Sequence, residues 1–305
     1  MQTILRGFSR GVFCAMLLLA SGAVTASPIG YSVRSDVDRK LYRLDMATGV
    51  ATELGATGFS KIEGLAINGT GELFGVNPPT AQLVKCSAAT GACTAVGILN
   101  GLPQIQTNAG LAFASSGALY LSMNAVIYRV DPATATTVAL GGTGPALAGL
   151  AGVAPSATCS SGLYGMGGNT DKGKIYCINT TNGAATLLGT VAVTPLDVGL
   201  DGDPVTGLIW GVSNTDPGQV FAVTPSTLAV SNQNAITLAG KAIGGFESLA
   251  VARTGTTATG DAIAADAAAI VPTLSSWMLA LLILCTASLA IPLLSRNAGV
   301  RSDRK

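Results

Sequence analysis

The stretch IEGLAINGTGELFGVNPPTAQLVKCSAATGACTAVG, residues 62–97, decides the fold. It contains four short runs of β-branched and apolar residues, separated by turns rich in Gly, Pro and Asn: 62–67, 72–77, 82–87 and 92–97. Runs of this length, cut by turn residues, predict an antiparallel meander of four strands. One such meander cannot bury both of its faces, so it needs copies of itself to pack against.

The chain contains these copies. Phrases similar to LYRLD begin at positions 41, 83, 127, 175 and 220, so the period is about 42 to 48 residues. A second phrase, GLA, GLD or SLA, begins at positions 64, 110, 149, 199 and 248. A period of this length with four strands is typical of a propeller blade, and the small residues of the second phrase suit the crowded innermost strand.

The two ends of the repeat array complete one blade. The last inner strand, 246–251, has no strands after it, and the first strands, 31–34, 40–45 and 50–55, have no inner strand before them. The sequence therefore predicts an all-β, five-bladed propeller over residues 29–253, closed by the N-terminal strands. A β-solenoid is the alternative, but its coils are normally much shorter than this period.

Composition excludes several classes of function. Of the 305 residues only 11% are charged, the net charge is +1, and there is no histidine. Without a basic stripe, a nucleic-acid partner is not expected. The absence of histidine excludes Ser-His-Asp and Cys-His nucleophilic sites and every His-ligated metal site.

Residues 1–26 have the pattern of a Sec signal peptide. Arg6 and Arg10 supply the charged region, residues 12–20 the apolar core, and residues 24–26 a cleavage site of small residues. A transmembrane anchor is the alternative, but the apolar run is short for a bilayer span of about 20 residues. We therefore expect the Sec translocon to export this chain.

The C-terminal region has three parts. Residues 254–269 are rich in Thr, Gly and Ala and predict a flexible linker. Residues 270–305 follow, with an apolar run that predicts a transmembrane helix over 277–294. The chain closes with a basic tail, which the positive-inside rule places in the cytoplasm; its cations are Arg296, Arg301, Arg304 and Lys305.

This tail resembles the IPTL-CTERM protein-sorting signal of Gram-negative bacteria. The residues that carry the resemblance are Val271, Pro272, Thr273, Leu274, Ser275 and Trp277. Val271 and Ser276 depart from the family pattern, which has Ile and an acidic residue there. The resemblance implies cleavage by an exosortase-type membrane protease, with temporary anchoring and then a cell-surface or extracellular location. A permanent tail anchor is the alternative. The repeat phrases also resemble, more loosely, secreted bacterial propeller-repeat proteins.

Four cysteines of the repeat region predict two disulfides. Cys86 and Cys93 flank a hairpin turn and face each other across it, whereas Cys159 and Cys177 fall in one predicted blade. Disulfides are expected in an oxidising compartment such as the periplasm. The scattered positions, without CxxC spacing, argue against metal binding.

Three acidic residues are the candidate site. Glu63 and Glu247 occupy equivalent inner-strand positions, Asp197 lies one position earlier in its blade, and the three blades are predicted neighbours. These carboxylates could hold Ca²⁺ or bind a cationic or sugar ligand, with Asp201 and Asp203 adding oxygens. The favoured alternative is structural: the acids accept hydrogen bonds from backbone at the axis or face a wet channel. No other cofactor is expected.

Two classes of function follow. In the first, the propeller is a non-enzymatic interaction platform of an exported surface or matrix protein, with a surface polysaccharide or another protein as its partner. In the second, it is a calcium-dependent hydrolase or lactonase with an acidic site at the channel mouth. We favour the first, because an enzyme needs an acid or base and a polar shell converging on one mouth, and such residues are sparse.

Overall fold

The computed structural model describes residues 27–102, 109–168, 171–193, 195 and 197–252, and they all belong to one compact unit. Within them the chain is all β, apart from a 3₁₀ turn at Pro78–Thr80. No helix in this part of the chain is long and apolar enough to cross a membrane. The predicted signal peptide, linker, sorting motif, transmembrane helix and basic tail lie outside the described residues.

Four blades are continuous in sequence, and in each the strands run in order from the inner strand to the outer one. Blade 1 comprises β4 (Glu63–Ile67), β5 (Leu73–Asn77), β6 (Gln82–Cys86) and β7 (Cys93–Ile98). Blade 2 comprises β8 (Ala109–Phe113), β9 (Leu119–Met123), β10 (Val126–Val130) and β11 (Thr137–Gly142). Blade 3 comprises β12 (Leu147–Gly152), β13 (Leu163–Gly167), β14 (Lys174–Ile178) and β15 (Ala185–Thr190). Blade 4 comprises β16 (Val198–Gly202), β17 (Ile209–Ser213), β18 (Gln219–Thr224) and β19 (Ala229–Ala235).

The fifth blade, the closing blade, joins the two ends of the described chain. Its strands are β22 (Ala250–Val251), β1 (Ile29–Val33), β2 (Lys40–Asp45) and β3 (Val50–Ala56), followed by β20 (Thr237–Leu238) and β21 (Lys241–Ala242). β1 pairs antiparallel with β22, with Tyr31 opposite Ala250. The predicted closure by N-terminal strands is therefore confirmed, and so is the five-bladed propeller.

Two features of the closing blade differ from expectation. The inner strand was predicted over residues 246–251, but β22 pairs only over Ala250–Val251. Among the residues before it, Ser248 instead bonds to Ser32 and Val33 of β1 in the same blade. β20 and β21 were not predicted at all; β20 pairs in parallel with the outer strand β3, opposite Val50 and Ala51. These two short strands cover an edge that is otherwise exposed.

Burial falls from the axis outwards and explains the sequence pattern. In blade 1 every residue of β4 and β5 is buried, because both faces pack against neighbouring blades. In β7 no residue is buried, and the small and polar residues there face solvent. Inner strands therefore consist mostly of apolar and small residues, as is typical of sheets covered on both faces.

The inner strands approach so closely that the axis is filled. A Cβ built on Gly199 would lie 2.3 Å from the backbone carbonyl carbon of Ser248, and one on Gly149 would lie 2.8 Å from the Val198 carbonyl oxygen. The residual space on the axis is about 140 Å³, is lined mainly by Gly, Ala and Leu, and is too narrow for a water molecule. The centre of the ring is therefore core rather than channel.

A bulge in the outer hairpin is shared by all five blades. The register shifts between each third strand and its outer strand, as between β2 and β3 at Leu41 and Tyr42. In β3 the bulge ends at Gly55, whose φ is +150°, and a Cβ there would lie 2.3 Å from the Thr90 carbonyl oxygen of blade 1. The bulge thus makes room for the hairpin turn of the next blade.

Both predicted disulfides are present. Cys86 and Cys93 join β6 to β7 with a Cα–Cα distance of 3.9 Å. Cys159 and Cys177 join the loop before β13 to β14 with a Cα–Cα distance of 5.4 Å. Each bridge lies within one blade, so neither holds the ring closed.

Candidate functional site: the acidic mouth

The three predicted acids lie at one end of the propeller axis. Glu63 begins β4, Asp197 directly precedes β16, and Glu247 lies three residues before β22. Because all inner strands run in the same direction, these side chains converge at the end where the strands begin. β22 contacts both β4 and β16, so the predicted order, with Glu247 between the other two acids, is confirmed.

Two further charged residues complete this group, which we call the acidic mouth: Asp36, Lys61, Glu63, Asp197 and Glu247. Lys61 Nζ lies 2.7 Å from Glu63 Oε1 and 3.3 Å from Asp36 Oδ1. Sequence reasoning missed both partners. The contact of Lys61 with Glu63 could have been predicted, because residues two apart share one face of an extended chain. No sequence feature predicts the position of Asp36, because its β1–β2 loop reaches the mouth only after the ring has closed.

Glu63 has a structural role at the interface between blades 1 and 2. It is only 2% exposed, and its Oε2 accepts a hydrogen bond of 3.1 Å from the backbone N–H of Ala109, the first residue of β8. Burial raises the pKa of Glu63 to about 7, and the ion pair with Lys61 opposes that shift. The favoured structural interpretation, a carboxylate bonded to backbone near the axis, is therefore confirmed for Glu63.

Glu247 is less well satisfied. Its Oε2 is buried and has no hydrogen-bond partner within the described part of the chain. Burial, followed by the negative charge of Asp36, raises the pKa of Glu247 to about 8. This environment favours the protonated form of the carboxyl group, because the ionised form loses hydration at its buried oxygen.

Asp197 is anchored by the blade 4 backbone. Its Oδ1 accepts a hydrogen bond of 2.8 Å from the Val198 N–H, and its own N–H donates to Asn214 Oδ1 at 3.0 Å. Burial raises the pKa of Asp197 to about 6, while the Val198 hydrogen bond and Lys61 act against that shift. For Lys61, burial works to lower the pKa, but the pair with Glu63 outweighs it and raises the pKa above its ordinary value.

The expected contribution of Asp201 and Asp203 to this site is wrong. Asp201 lies at the far end of β16, about 13 Å along the strand from Asp197. There its Oδ2 accepts a hydrogen bond of 2.8 Å from the Val251 N–H, which links blade 4 to the closing strand. Asp203 lies in the next turn and accepts hydrogen bonds from Val205 and Thr206.

Aspartates that recur at the hairpin turns cap those turns. Asp45 Oδ1 accepts hydrogen bonds from the N–H groups of Ala47 at 3.0 Å and Thr48 at 2.9 Å. Asp131 does the same for Ala133 at 2.9 Å. These residues lie at the end of the propeller that is opposite the acidic mouth. We call this opposite end the turn end.

Three carboxyl groups of the acidic mouth have raised pKa values, and burial is the largest cause for each of them. Among the described residues, no group of three or more His, Cys, Asp or Glu side chains could hold a metal ion. A lysine ammonium lies among the carboxylates, where a metal would otherwise gather their oxygens. Calcium binding by Glu63, Asp197 and Glu247 stays a prediction.

The arrangement of strands defines the chain as a five-bladed β-propeller protein. No family model matches the chain, and no curated protein matches it. Among solved structures, the chain is similar to one from a nidogen–laminin complex, with a TM-score of 0.46 and 16% identity over 74% of this chain and 86% of that one.

Two lyases are also similar. A streptogramin B lyase has a TM-score of 0.38 and 17% identity, over 66% of this chain and 63% of the lyase. Virginiamycin B lyase from Staphylococcus aureus has a TM-score of 0.40 and 16% identity, over 68% of this chain and 69% of the lyase. These likenesses concern fold alone, and the activity in the lyases' names belongs to those proteins.

Proposed function

We propose that this protein is an exported, non-enzymatic interaction platform, whose partner is a surface polysaccharide or another protein. The observation that carries the proposal is the use of the charged residues near the axis. Glu63, which is buried, bonds to the backbone of the next blade and pairs with Lys61, and Asp201 bonds to the closing strand. These acids hold the ring together, and the filled axis gives a substrate no entry there.

Export through the Sec translocon and sorting by an exosortase-type protease form the second part of the proposal. Two disulfides support an oxidising compartment outside the cytoplasm. The resemblance at Val271–Trp277 supports recognition by the sorting protease, with the helix over 277–294 as a membrane anchor before cleavage. We propose a final location on the cell surface or outside the cell.

The position of the chain ends bears on which face meets a partner. The Ala252 N–H donates to the Ile29 carbonyl, and the Met46 N–H donates to the Pro28 carbonyl, so both ends of the described chain lie at the turn end. The opposite end, which carries the acidic mouth, therefore does not contain the described chain ends. We propose this end as the partner-facing surface.

Mass spectrometry of the protein exported by a cell that contains an exosortase tests the sorting. The expected product lacks everything beyond about residue 274, and the double substitution Pro272→Ala, Thr273→Ala retains the tail. An exported pool that still carries Lys305 would contradict the proposal.

Calcium titration followed by thermal melting tests the non-enzymatic assignment. We expect no shift in melting temperature at millimolar calcium. A large rise that Glu63→Gln and Glu247→Gln abolish would instead support the calcium-dependent hydrolase or lactonase, because a ligand that binds only the folded state stabilises it.

A further inference from the structure

The closing segment, which we define as residues 246–251, is held less by backbone pairing than its counterparts. In blades 1 to 4 the inner strands β4, β8, β12 and β16 are five or six residues long, whereas β22 has two residues. Side chains hold the rest. The Val33 N–H donates to Ser248 Oγ at 3.2 Å, and Ser32 Oγ donates to the Ser248 carbonyl. Closure therefore depends on contacts that local charges can strengthen or weaken.

Charged groups from three neighbouring elements face Glu247, which belongs to this closing segment. The β1–β2 loop contributes Asp36, blade 1 contributes Lys61 and Glu63, and blade 4 contributes Asp197. A further cation, Arg34, lies on the other side of Phe246: its Nε donates to the Gly244 carbonyl at 2.7 Å, and Asp38 neutralises it at 2.7 Å. One lysine thus faces four carboxyl groups.

The balance of charge in this group depends on protons. If all four carboxyl groups are ionised, the acidic mouth has a net charge of −3. Asp36 is 61% exposed and largely screened by water, but Glu63 is buried and Lys61 is already committed to it. Ionised Glu247 would then have a buried oxygen with no hydrogen-bond partner among the described residues, and it would be repelled by Asp197 and Glu63. A proton on Glu247 removes this repulsion.

We propose that closure of the ring is proton-dependent: the closing segment is held most tightly while Glu247 is protonated, and it loosens when the carboxyl groups of the acidic mouth ionise. The device is specific to the closing blade. In blade 3, for example, a six-residue inner strand continues directly into the rest of its sheet, and loss of a contact at its first residue leaves the strand paired.

The direction of the pH effect follows from the pKa shifts. Glu247 has a pKa of about 8 and Glu63 of about 7 in the folded protein, both above the ordinary 4.5. The folded state therefore binds more protons than the unfolded chain between these values. The resulting stabilisation is complete below about pH 4.5 and is lost as the pH rises through 7 and 8.

Hydrogen exchange of the full exported protein tests the proposal. Protection factors, which correct for the intrinsic pH dependence of exchange, are compared at pH 5.5 and 8.5 for the closing segment and for β12 and β13. We expect protection of the closing segment to be at least roughly tenfold higher at pH 5.5, with a smaller change in blade 3.

The second test replaces Glu247 by glutamine, which has the same shape but carries no charge. Glu247→Gln should raise the protection of the closing segment at pH 8.5 towards the value that the wild type has at pH 5.5. The matched control is Glu53→Gln, an exposed acid of β3 paired with Lys40, which should leave the pH dependence unchanged.

Equal protection of the closing segment at the two pH values in the wild type would overturn the proposal, and this measurement needs no variant to fold. The proposal would also be overturned if β12 and β13 lost as much protection as the closing segment between pH 5.5 and 8.5. A pH dependence in Glu247→Gln like that of the wild type would overturn it as well.

Discussion

Blade 3 and the closing blade have the same four-stranded core but are assembled differently. Blade 3 is one continuous segment whose inner strand β12 spans six residues, and Cys159–Cys177 crosslinks it. The closing blade joins β22 to β1 across more than 200 residues of sequence and has no disulfide among its described residues. Joining such distant segments costs more chain entropy than forming a local hairpin.

The closing blade is held by buried polar side chains that form hydrogen bonds with its backbone. Ser32 and Ser248 bond to backbone within the closing blade, and Asp201 bonds to it from blade 4. β20 and β21 extend its outer edge, and no other described blade has such an addition. Where local hairpin pairing is missing, buried side-chain hydrogen bonds replace it.

The largest effect is expected from a methyl group at the closure. In Gly199→Ala the new Cβ would meet the Ser248 backbone at 2.3 Å, so the closing segment must move. We expect a loss of about 3–4 kcal/mol in the free energy of unfolding, measured by urea denaturation. Gly149→Ala, at the equivalent junction of blades 3 and 4, should cost about 2 kcal/mol. Gly142→Ala, whose Cβ would meet nothing closer than 3.7 Å, is the control. Equal losses at positions 199 and 149 would show that the closer contact at the closure adds no cost.

Removing the crosslink should make blade 3 resemble the closing blade. The double variant Cys159→Ala, Cys177→Ala opens a loop of 18 residues' separation, and we expect it to lower the free energy of unfolding by about 2–3 kcal/mol. Cys86→Ala, Cys93→Ala, with a separation of 7, should cost less. Paired urea curves for the two variants check this order, and the reverse order would contradict the chain-entropy explanation.

A smaller effect is expected from a single hydrogen bond of the closing blade. Ser248→Ala leaves the buried Val33 N–H without its acceptor, and we expect a loss of about 1–2 kcal/mol. Ser226→Ala, in an exposed turn of blade 4, should change stability by less than about 0.5 kcal/mol. If thermal melting finds the two variants equally stable, the side-chain bond does not contribute to closure.

The smallest effect is expected from the surface pair Glu72–Lys85 of blade 1. Its side chains are 38% and 48% exposed, so Glu72→Gln should cost less than about 1 kcal/mol. The stability that this pair contributes depends on pH in the opposite direction from the stability contributed by the acidic mouth. The Lys85 hydrogen bond lowers the pKa of Glu72, so the pair stabilises above the ordinary pKa and is lost as the pH falls. Melting curves of wild type and variant should therefore converge in acid.

The site was predictable in part. Glu63 and Glu247 follow from the inner-strand phrase, because equivalent positions of repeats share one end of the ring. Asp201 was misassigned because four residues of strand place it at the far end, and a sequence position close to Asp197 does not imply proximity in a strand. Asp36 could not be found, because its loop reaches the mouth through a pairing between opposite ends of the chain.

The sequence by itself determined the repeat, the five blades, both disulfides and the circular closure, because period, turn residues and cysteine spacing are local features that backbone sterics and burial translate directly into strands. Only the tertiary structure decided how short β22 is, that β20 and β21 cover β3, and that Lys61 lies among the acids of the mouth. Those outcomes depend on which segments compete for the same edge and on how much water the packed blades exclude. Neither the competition for an edge nor the exclusion of water can be predicted from one repeat alone.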